Sequence, residues 1–407
     1  MAIGDIIVGV DIGASKISLV VGEVNNFNQI EVICDTTKKS DGIQKDKIVD
    51  ETKLGDAIAS TIEDAEKEMS MKINSAYITI PGKYVTIVQN SVTREAKDKY
   101  SGISQKDVSN ALMHAKDISI PEGKKLIDVV TEDFKLDDGR SVENPVGAFS
   151  SSFILNAELI LADKEYIKTI MNVFRRLNIS IDGMVPITLA EKNLILTDNE
   201  RKACTMLVDI GAQNTDIGVF YNDKFVYTDS IPVGGQNITN DIAIVLNISN
   251  EEAEKLKKQY GLALKAFIEN DNEVILNTAK DNNKIVMSSH IVEIIEARVD
   301  QIFEIIDEEL VKNQIKSHID SVVLTGQGIT NIMKSDTVAK NNLNLPVRIN
   351  KEKTANYMKP TYETAYALVN FIASRPFAKS VSSSVDTNSN EKFFKKVLEK
   401  IKEFFYS

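Results

Sequence analysis

Leu207-Val-Asp-Ile-Gly-Ala-Gln-Asn-Thr-Asp-Ile-Gly-Val-Phe220 is the stretch whose reading decides the fold. An apolar run leads into Asp209, small and polar residues follow, and a second apolar run starts at Ile217. This pattern predicts a β-hairpin whose tip carries a carboxylate, Gly211, and the amide and hydroxyl groups of Asn214 and Thr215. Such a tip brings backbone N–H groups close to a phosphate and lets the Asp hold a hydrated cation. Asp-x-Gly between two strands is by itself an ordinary turn.

A second copy gives it meaning. Ile7-Val-Gly-Val-Asp-Ile-Gly-Ala-Ser-Lys-Ile-Ser-Leu-Val20 has the same layout, with Asp11 and Gly13 matching Asp209 and Gly211. Ala14, Ser15 and Lys16 match Ala212, Gln213 and Asn214. Repetition half a chain apart implies a duplicated domain. Two hairpins facing across a cleft would clamp a nucleotide's phosphates, with Lys16 supplying positive charge and Asp11 and Asp209 holding Mg²⁺ through water. Ser321-Val-Val-Leu-Thr-Gly-Gln-Gly-Ile-Thr330 adds a buried strand running into a turn of Gly326, Gln327 and Gly328, suited to close backbone approach. Gly234, Gly235 and Gln236 open a helix, another place where phosphates settle. In this order and spacing, the elements resemble the actin, Hsp70 and sugar-kinase superfamily. That implies a two-lobed α/β fold.

Composition limits the alternatives. A net charge of −11 argues against nucleic acid as a partner. Cys34 and Cys204 lie in or beside apolar runs and read as core residues in a reducing compartment, with no disulfide framework or metal spacing. His114, His290 and His318 lie far apart and suggest no metal or Ser-His-Asp site. The N-terminal apolar run is short, is broken by Asp11 and lacks a basic start, so no signal peptide is expected. No stretch approaches the ~20 apolar residues of a membrane-spanning helix. A cytoplasmic chain is therefore expected.

Periodicity predicts a helix over 51–70, a strand over 76–80 ended by Pro81-Gly82, and a change of pattern from Lys83. Within 83–163 the expected elements are a strand from Tyr84, a helix from the N-cap Ser104 to Ala115, a strand over 126–130 and one over 153–161, an inserted α+β unit. Helices follow over 164–177 and 186–196, then 250–260 capped by Ser249 and Gly261, 289–316 and 361–372. On charge alone, Glu254, Lys257 and Lys258 form a solvated ion-paired face.

Residues 379–389 are Ser-rich and polar, a linker spanning on the order of 20 Å. The chain then runs Asn390-Glu-Lys-Phe-Phe-Lys-Lys-Val-Leu-Glu-Lys-Ile-Lys-Glu-Phe-Phe-Tyr-Ser407. Phe393, Phe394, Val397, Leu398, Ile401, Phe404 and Phe405 make one stripe at helical period. Five Lys and three Glu give this segment +2 and leave −13 on the rest. Aromatic residues on one face and Lys on the other fit a helix lying in a membrane interface; the alternative is a helix docked on protein. Complete burial of the stripe sets an upper bound of roughly 10–20 kcal/mol, reduced by ordering a loose tail.

The whole chain resembles the FtsA family, bacterial actin homologues that tether the tubulin-like FtsZ ring to the inner membrane in cell division. The resemblance rests on Val10-Asp-Ile-Gly13, Glu143-Asn-Pro-Val-Gly147, Leu207-Val-Asp-Ile-Gly211, Val233-Gly-Gly235, Ala253-Glu254 with Lys257, Tyr260-Gly261 and Leu324-Thr-Gly326. It implies subdomain 1A at 1–82 and 164–198, an inserted 1C at 83–163, 2A at 199–230 and 312–378, and 2B at 231–311. It implies ATP and Mg²⁺ as ligands, head-to-tail filaments with 1C contributing, and Glu254, Lys257 and Lys258 against the adenosine. Arg298 falls where the family's 2B receives the FtsZ C-terminal tail, and a surface salt bridge is the other reading.

The chain also departs from the pattern. Ala212, Gln213 and Asn214 stand where the family has Gly, Gly and Thr. Gln327 replaces a Gly, and Val185 stands before Pro186 where the family has Glu. An acid near that place orients water in related proteins, so the expectation is ATP·Mg²⁺ binding with slow or absent hydrolysis. A pilus-assembly actin homologue and a sugar kinase are the competing functions. The tail argues against the first, and no acid beside a sugar pocket supports the second.

Overall fold

The computed structural model describes residues 4–27, 29–96, 102–276, 284–350 and 360–375. The expected linker and the amphipathic segment 390–407 lie outside the described residues.

Two five-stranded sheets form the cores of two lobes. In the first, the order is Ser180–Pro186, Ser75–Ile80, Ile6–Ile12, Lys16–Val24, Ile30–Lys39. In the second it is Val347–Ile349, Ser321–Thr325, Thr205–Ile210, Thr215–Tyr221, Lys224–Ile231, read from the corresponding edge. Each sheet holds three antiparallel strands flanked by parallel ones. The duplication read from the two Asp-x-Gly turns is therefore real at the level of topology. It extends to register: Asp11 lies opposite Ser18, and Asp209 opposite Asp216.

The strands form because the apolar runs are covered on both faces, as in most parallel sheets. Val10, Leu19, Ile78, Val208, Ile217 and Leu324 are all fully buried. Helix Glu51–Met69 starts where Asp50 accepts the N–H groups of Thr52 and Lys53, both at 3.0 Å. It buries Leu54, Ile58, Ile62 and Ala65 and stops at Ser70, whose φ is 55°. The helix of residues 250–260 is observed as Asn250–Gln259, with Ser249 as its N-cap. The expected 289–316 helix is shorter, Ser288–Lys312, because Gln314 turns left-handed (φ 58°) and a single 3-10 turn follows at Lys316–His318.

Between Ser75–Ile80 and Lys164–Arg176 lies a separate four-stranded antiparallel sheet, ordered Val85–Glu95, Ser152–Asp163, Lys124–Leu136, Ser141–Val142. Helix Gln105–Ala115 packs on it through Val108, Ala111, Leu112 and Ala115. Ser104 and Asp107 cap that helix reciprocally: Asp107 N–H donates to Ser104 Oγ at 3.3 Å, and Ser104 N–H to Asp107 Oδ2 at 3.0 Å. The strand expected over 126–130 runs the full length of Lys124–Leu136; its polar alternation hides it from a reading based on apolar runs.

Candidate nucleotide-binding cleft

The two hairpin tips have the same construction. Gly13 N–H donates to the Lys16 carbonyl at 3.1 Å, and Gly211 N–H to the Asn214 carbonyl at 2.9 Å. A Cβ on Gly13 would lie 3.1 Å from the Lys16 oxygen, and one on Gly211 3.2 Å from the Asn214 oxygen. Ala14 packs on the first-lobe core, and Ser15 accepts the Ser40 N–H at 3.0 Å through its carbonyl.

Asp11 and Asp209 are next to last in equivalent strands. Thr79 donates its hydroxyl to Asp11 Oδ1 at 2.9 Å, and Thr325 is the residue paired with Asp209 on the matching parallel strand. Lys16 donates to the Thr361 carbonyl at 2.7 Å, which Ser18 also reaches at 3.0 Å. Burial raises Asp11 above the usual carboxylate range, against the pull of Lys16 and Thr79. Burial, then Asp11 and Glu363, push Asp209 up to about 7. Burial lowers Lys16, opposed by Asp11, Asp209 and Glu363. Carboxylates from two lobes thus lie within electrostatic reach of one lysine in a poorly solvated floor. That donor set fits a hydrated Mg²⁺, which binds through one or two carboxylates and retains its waters. Among the described residues no cluster of three or more His, Cys, Asp or Glu side chains forms a protein-only cage.

The glycine turns brace the second tip. Gly235 and Gln236 donate their N–H groups to the carbonyls of Gly211 and Ala212 at 2.9 and 2.7 Å. Gly328 N–H donates to the Ile210 carbonyl at 2.8 Å. A Cβ on Gly234 would meet the Gly211 oxygen at 2.7 Å, and one on Gly235 would meet Gly328 Cα at 2.6 Å. Gly326 has φ +91°, and a Cβ there would collide with Asp209 Oδ1. Glycine is needed at these places because three backbone segments pass through one small space. In this arrangement the first amides of helix Gly235–Leu246 hold the hairpin rather than stand open. Gln327 is exposed on the rim.

Lys257 joins that helix to the next. Its Nζ lies 2.7 Å from Glu254 Oε2 and donates to Thr239 Oγ1 at 2.9 Å and to the Gly235 carbonyl at 3.1 Å. Glu254 also accepts the Thr239 hydroxyl at 2.6 Å, and Lys258 lies 3.4 Å from its other oxygen. The sequence groups Glu254, Lys257 and Lys258, and the fold brings them to the Gly234–Gly235 turn. Arg298 is not beside them. Its guanidinium pairs bidentately with Asp241, at 2.8 Å from Nη2 to Oδ1, and also donates to Gln301.

Several site residues escape a sequence reading. Glu191, 1% exposed on helix Ile187–Ile195, accepts the Thr364 hydroxyl at 2.9 Å through Oε1. Burial, then Asp209, Glu363 and Asp11, raise it well above its ordinary value. Its signal was a lone acid in an apolar helix. Val185 pairs in register with Thr79 on the strand between it and Asp11, so this position contributes an apolar side chain two strands away from that carboxylate. Asp46, on a two-residue turn far away in sequence, accepts the side-chain amide of Asn214.

A family profile for the cell division protein FtsA matches residues 206–367, and one for the SHS2 domain inserted in FtsA matches residues 82–161. A cell division protein FtsA of Buchnera aphidicola subsp. Baizongia pistaciae is 29% identical, covering 97% of this chain and 96% of that one. This chain belongs to the FtsA family. FtsA proteins are actin-like cell-division proteins, and the fold agrees: MreB5 of Spiroplasma citri bound to ADP aligns over 98% of both chains with a TM-score of 0.54 at 12% identity. The PilM-PilN type IV pilus biogenesis complex gives 0.55 at 14% identity, over 90% of this chain and 97% of that one. At such identities the structural matches speak for architecture alone. The matched SHS2 segment is the inserted sheet-and-helix unit described above.

Proposed function

We propose that this FtsA-family chain binds ATP·Mg²⁺ between its lobes, assembles with copies of itself, and attaches the FtsZ ring to the inner face of the cytoplasmic membrane. The observation that carries the nucleotide reading is the matched pair Asp11 and Asp209, each next to last in its strand at the same register before a glycine turn, and both within electrostatic reach of Lys16. Bound Mg²⁺ supplies the positive charge that offsets both carboxylates. Lys16 and the turn amides orient phosphate; Lys257 and Glu254 flank the turn where the adenosine belongs.

Slow or absent hydrolysis is part of this reading. Val185 supplies no acid at the position where the family has Glu, and Gln213 puts a side chain where the family has glycine. The membrane contact is assigned to residues 390–407 through Phe393, Phe394, Val397, Leu398, Ile401, Phe404 and Phe405, and FtsZ recognition to the surface around Arg298. Co-sedimentation with liposomes decides the tethering: full-length protein pellets and a 1–389 truncation stays in solution, with FtsZ tail peptide carried down only by the former. Equal pelleting of both removes the membrane assignment. Titration with labelled ATP and Mg²⁺ decides the nucleotide site; Asp11→Asn and Asp209→Asn each weaken binding by about tenfold or more.

A further inference from the structure

The residues that depart from the family's phosphate turn have another occupation. Gln213 Oε1 accepts the Lys45 N–H at 3.1 Å, and the Asn214 side-chain amide donates to Asp46 Oδ1. Lys45 and Asp46 belong to the first lobe. They form the two-residue turn between the short strands Ile43–Gln44 and Lys47–Ile48, paired Ile43 to Ile48 and Gln44 to Lys47.

The turn is gripped from both sides. Asp46 Oδ2 accepts the Ser230 hydroxyl of the second lobe at 2.7 Å and lies 3.4 Å from Lys83 Nζ. The Asp46 carbonyl accepts Tyr84 Oη at 2.8 Å, and the Lys45 carbonyl accepts Lys83 Nζ at 2.7 Å. Asp46 is only 8% exposed. Both turn residues hold left-handed backbone, φ 47° at Lys45 and 60° at Asp46. A two-residue hairpin turn takes this backbone at both positions, and Asp is suited to it while Lys is not.

A second crossing lies beside it. Gly82 N–H donates to Asp216 Oδ1 at 2.8 Å, and a Cβ on Gly82 would lie 2.5 Å from the Asp229 carbonyl. Thr and Gly at the tip, as in the family pattern, would offer neither the Asn214 amide nor the Gln213 carbonyl to the first lobe.

We infer that the Lys45–Asp46 turn is a latch closing the cleft onto Gln213, Asn214 and Ser230, so that lobe closure in this chain does not depend on nucleotide. The inference rests on the nucleotide reading only for what it says about ATP. The bridge itself is made of protein groups.

Amide exchange on the full-length protein tests it, read at residues 43–48 and at Gly82. In wild-type protein without nucleotide, the turn exchanges within about twofold of its rate under saturating ATP·Mg²⁺. Asp46→Ala, lacking the carboxylate that takes Asn214 and Ser230, exchanges roughly tenfold or more faster without nucleotide. Asn214→Thr, which restores the family residue, behaves in the same direction and serves if Asp46→Ala does not fold. The latch is overturned if ATP slows exchange in wild-type protein by about tenfold, or if Asn214→Thr leaves the nucleotide-free rate unchanged. ATP binding is read separately by titration. A chain that binds no ATP refutes the nucleotide site, while the nucleotide-free comparison of wild type and variants still decides the latch.

Discussion

Glu158 of the inserted sheet accepts the backbone N–H of Phe225, a residue of the second lobe. Its carboxyl is 2% exposed and is pushed up to about 8, chiefly by burial and further by Glu132, against the Phe225 bond, Lys192 and Gln89. The ordinary value is 4.5, so between there and about 8 the folded protein holds a proton the unfolded chain has lost. Stability from this group is therefore present below about 4.5 and is lost as pH rises through about 8. Glu158→Gln keeps an acceptor for Phe225 and removes the titration. Urea unfolding at pH 8.5 or above, to use an alkaline buffer of roughly that value, should show the variant more stable by about 1–3 kcal/mol, with the gap vanishing toward pH 5 or so.

Thr79 donates its hydroxyl to the Asp11 carboxylate. Thr79→Val keeps the shape and removes the donor. It should cost about 1–2 kcal/mol in urea unfolding and weaken Mg²⁺-dependent nucleotide binding, while Thr79→Ser restores both. Equal behaviour of the Val and Ser variants would show that Asp11 is held by something else.

Gly326 admits no side chain, because it combines φ +91° with the Asp209 carboxylate against its α-carbon. Gly326→Ala should destabilise the second lobe by roughly 2–4 kcal/mol, read as a lowered melting temperature. Gln327→Ala, one residue on and exposed, should stay within about 0.5 kcal/mol of wild type.

Lys257 and Lys258 carry the same charge in different places. The Lys257 side chain is 11% exposed and touches Glu254, Thr239 and Gly235, whereas that of Lys258 is 69% exposed. Lys257→Ala should cost about 1–3 kcal/mol in stability and reduce affinity for an adenine nucleotide by about tenfold. Lys258→Ala should change stability by less than about 0.5 kcal/mol. Equal effects of the two variants on nucleotide affinity would argue against Lys257 as the residue that links the turn to the adenosine.

Much of this was legible in the chain because it was written locally. Leu207–Phe220 and Ile7–Val20 each carry an apolar run, an Asp-x-Gly turn and a second apolar run within one hairpin, and both fold as that pattern dictates. Ser104 with Asp107, and Ser249 before Asn250, mark helix starts by capping chemistry that needs no distant partner. What was hidden depends on distance. Asp46 and Asn214 are 168 positions apart, and nothing in Gly42–Asp50 announces that its turn crosses the cleft. Likewise, Gly234–Gln236 reads as an open helix start, yet the carbonyls that take the Gly235 and Gln236 amides come from the hairpin at Gly211 and Ala212. The acidic side chain of Glu191 is visible in sequence; its neighbours Asp209 and Asp11 come from separate strands.

The root of the inserted unit has a mechanical meaning. Gly82 is pinned to Asp216, Lys83 and Tyr84 hold the Lys45–Asp46 turn, and Glu158 grips Phe225 from the same sheet. The insertion therefore spans the seam like a splint instead of hanging from one side. Any twist between the halves of the molecule must bend or detach it.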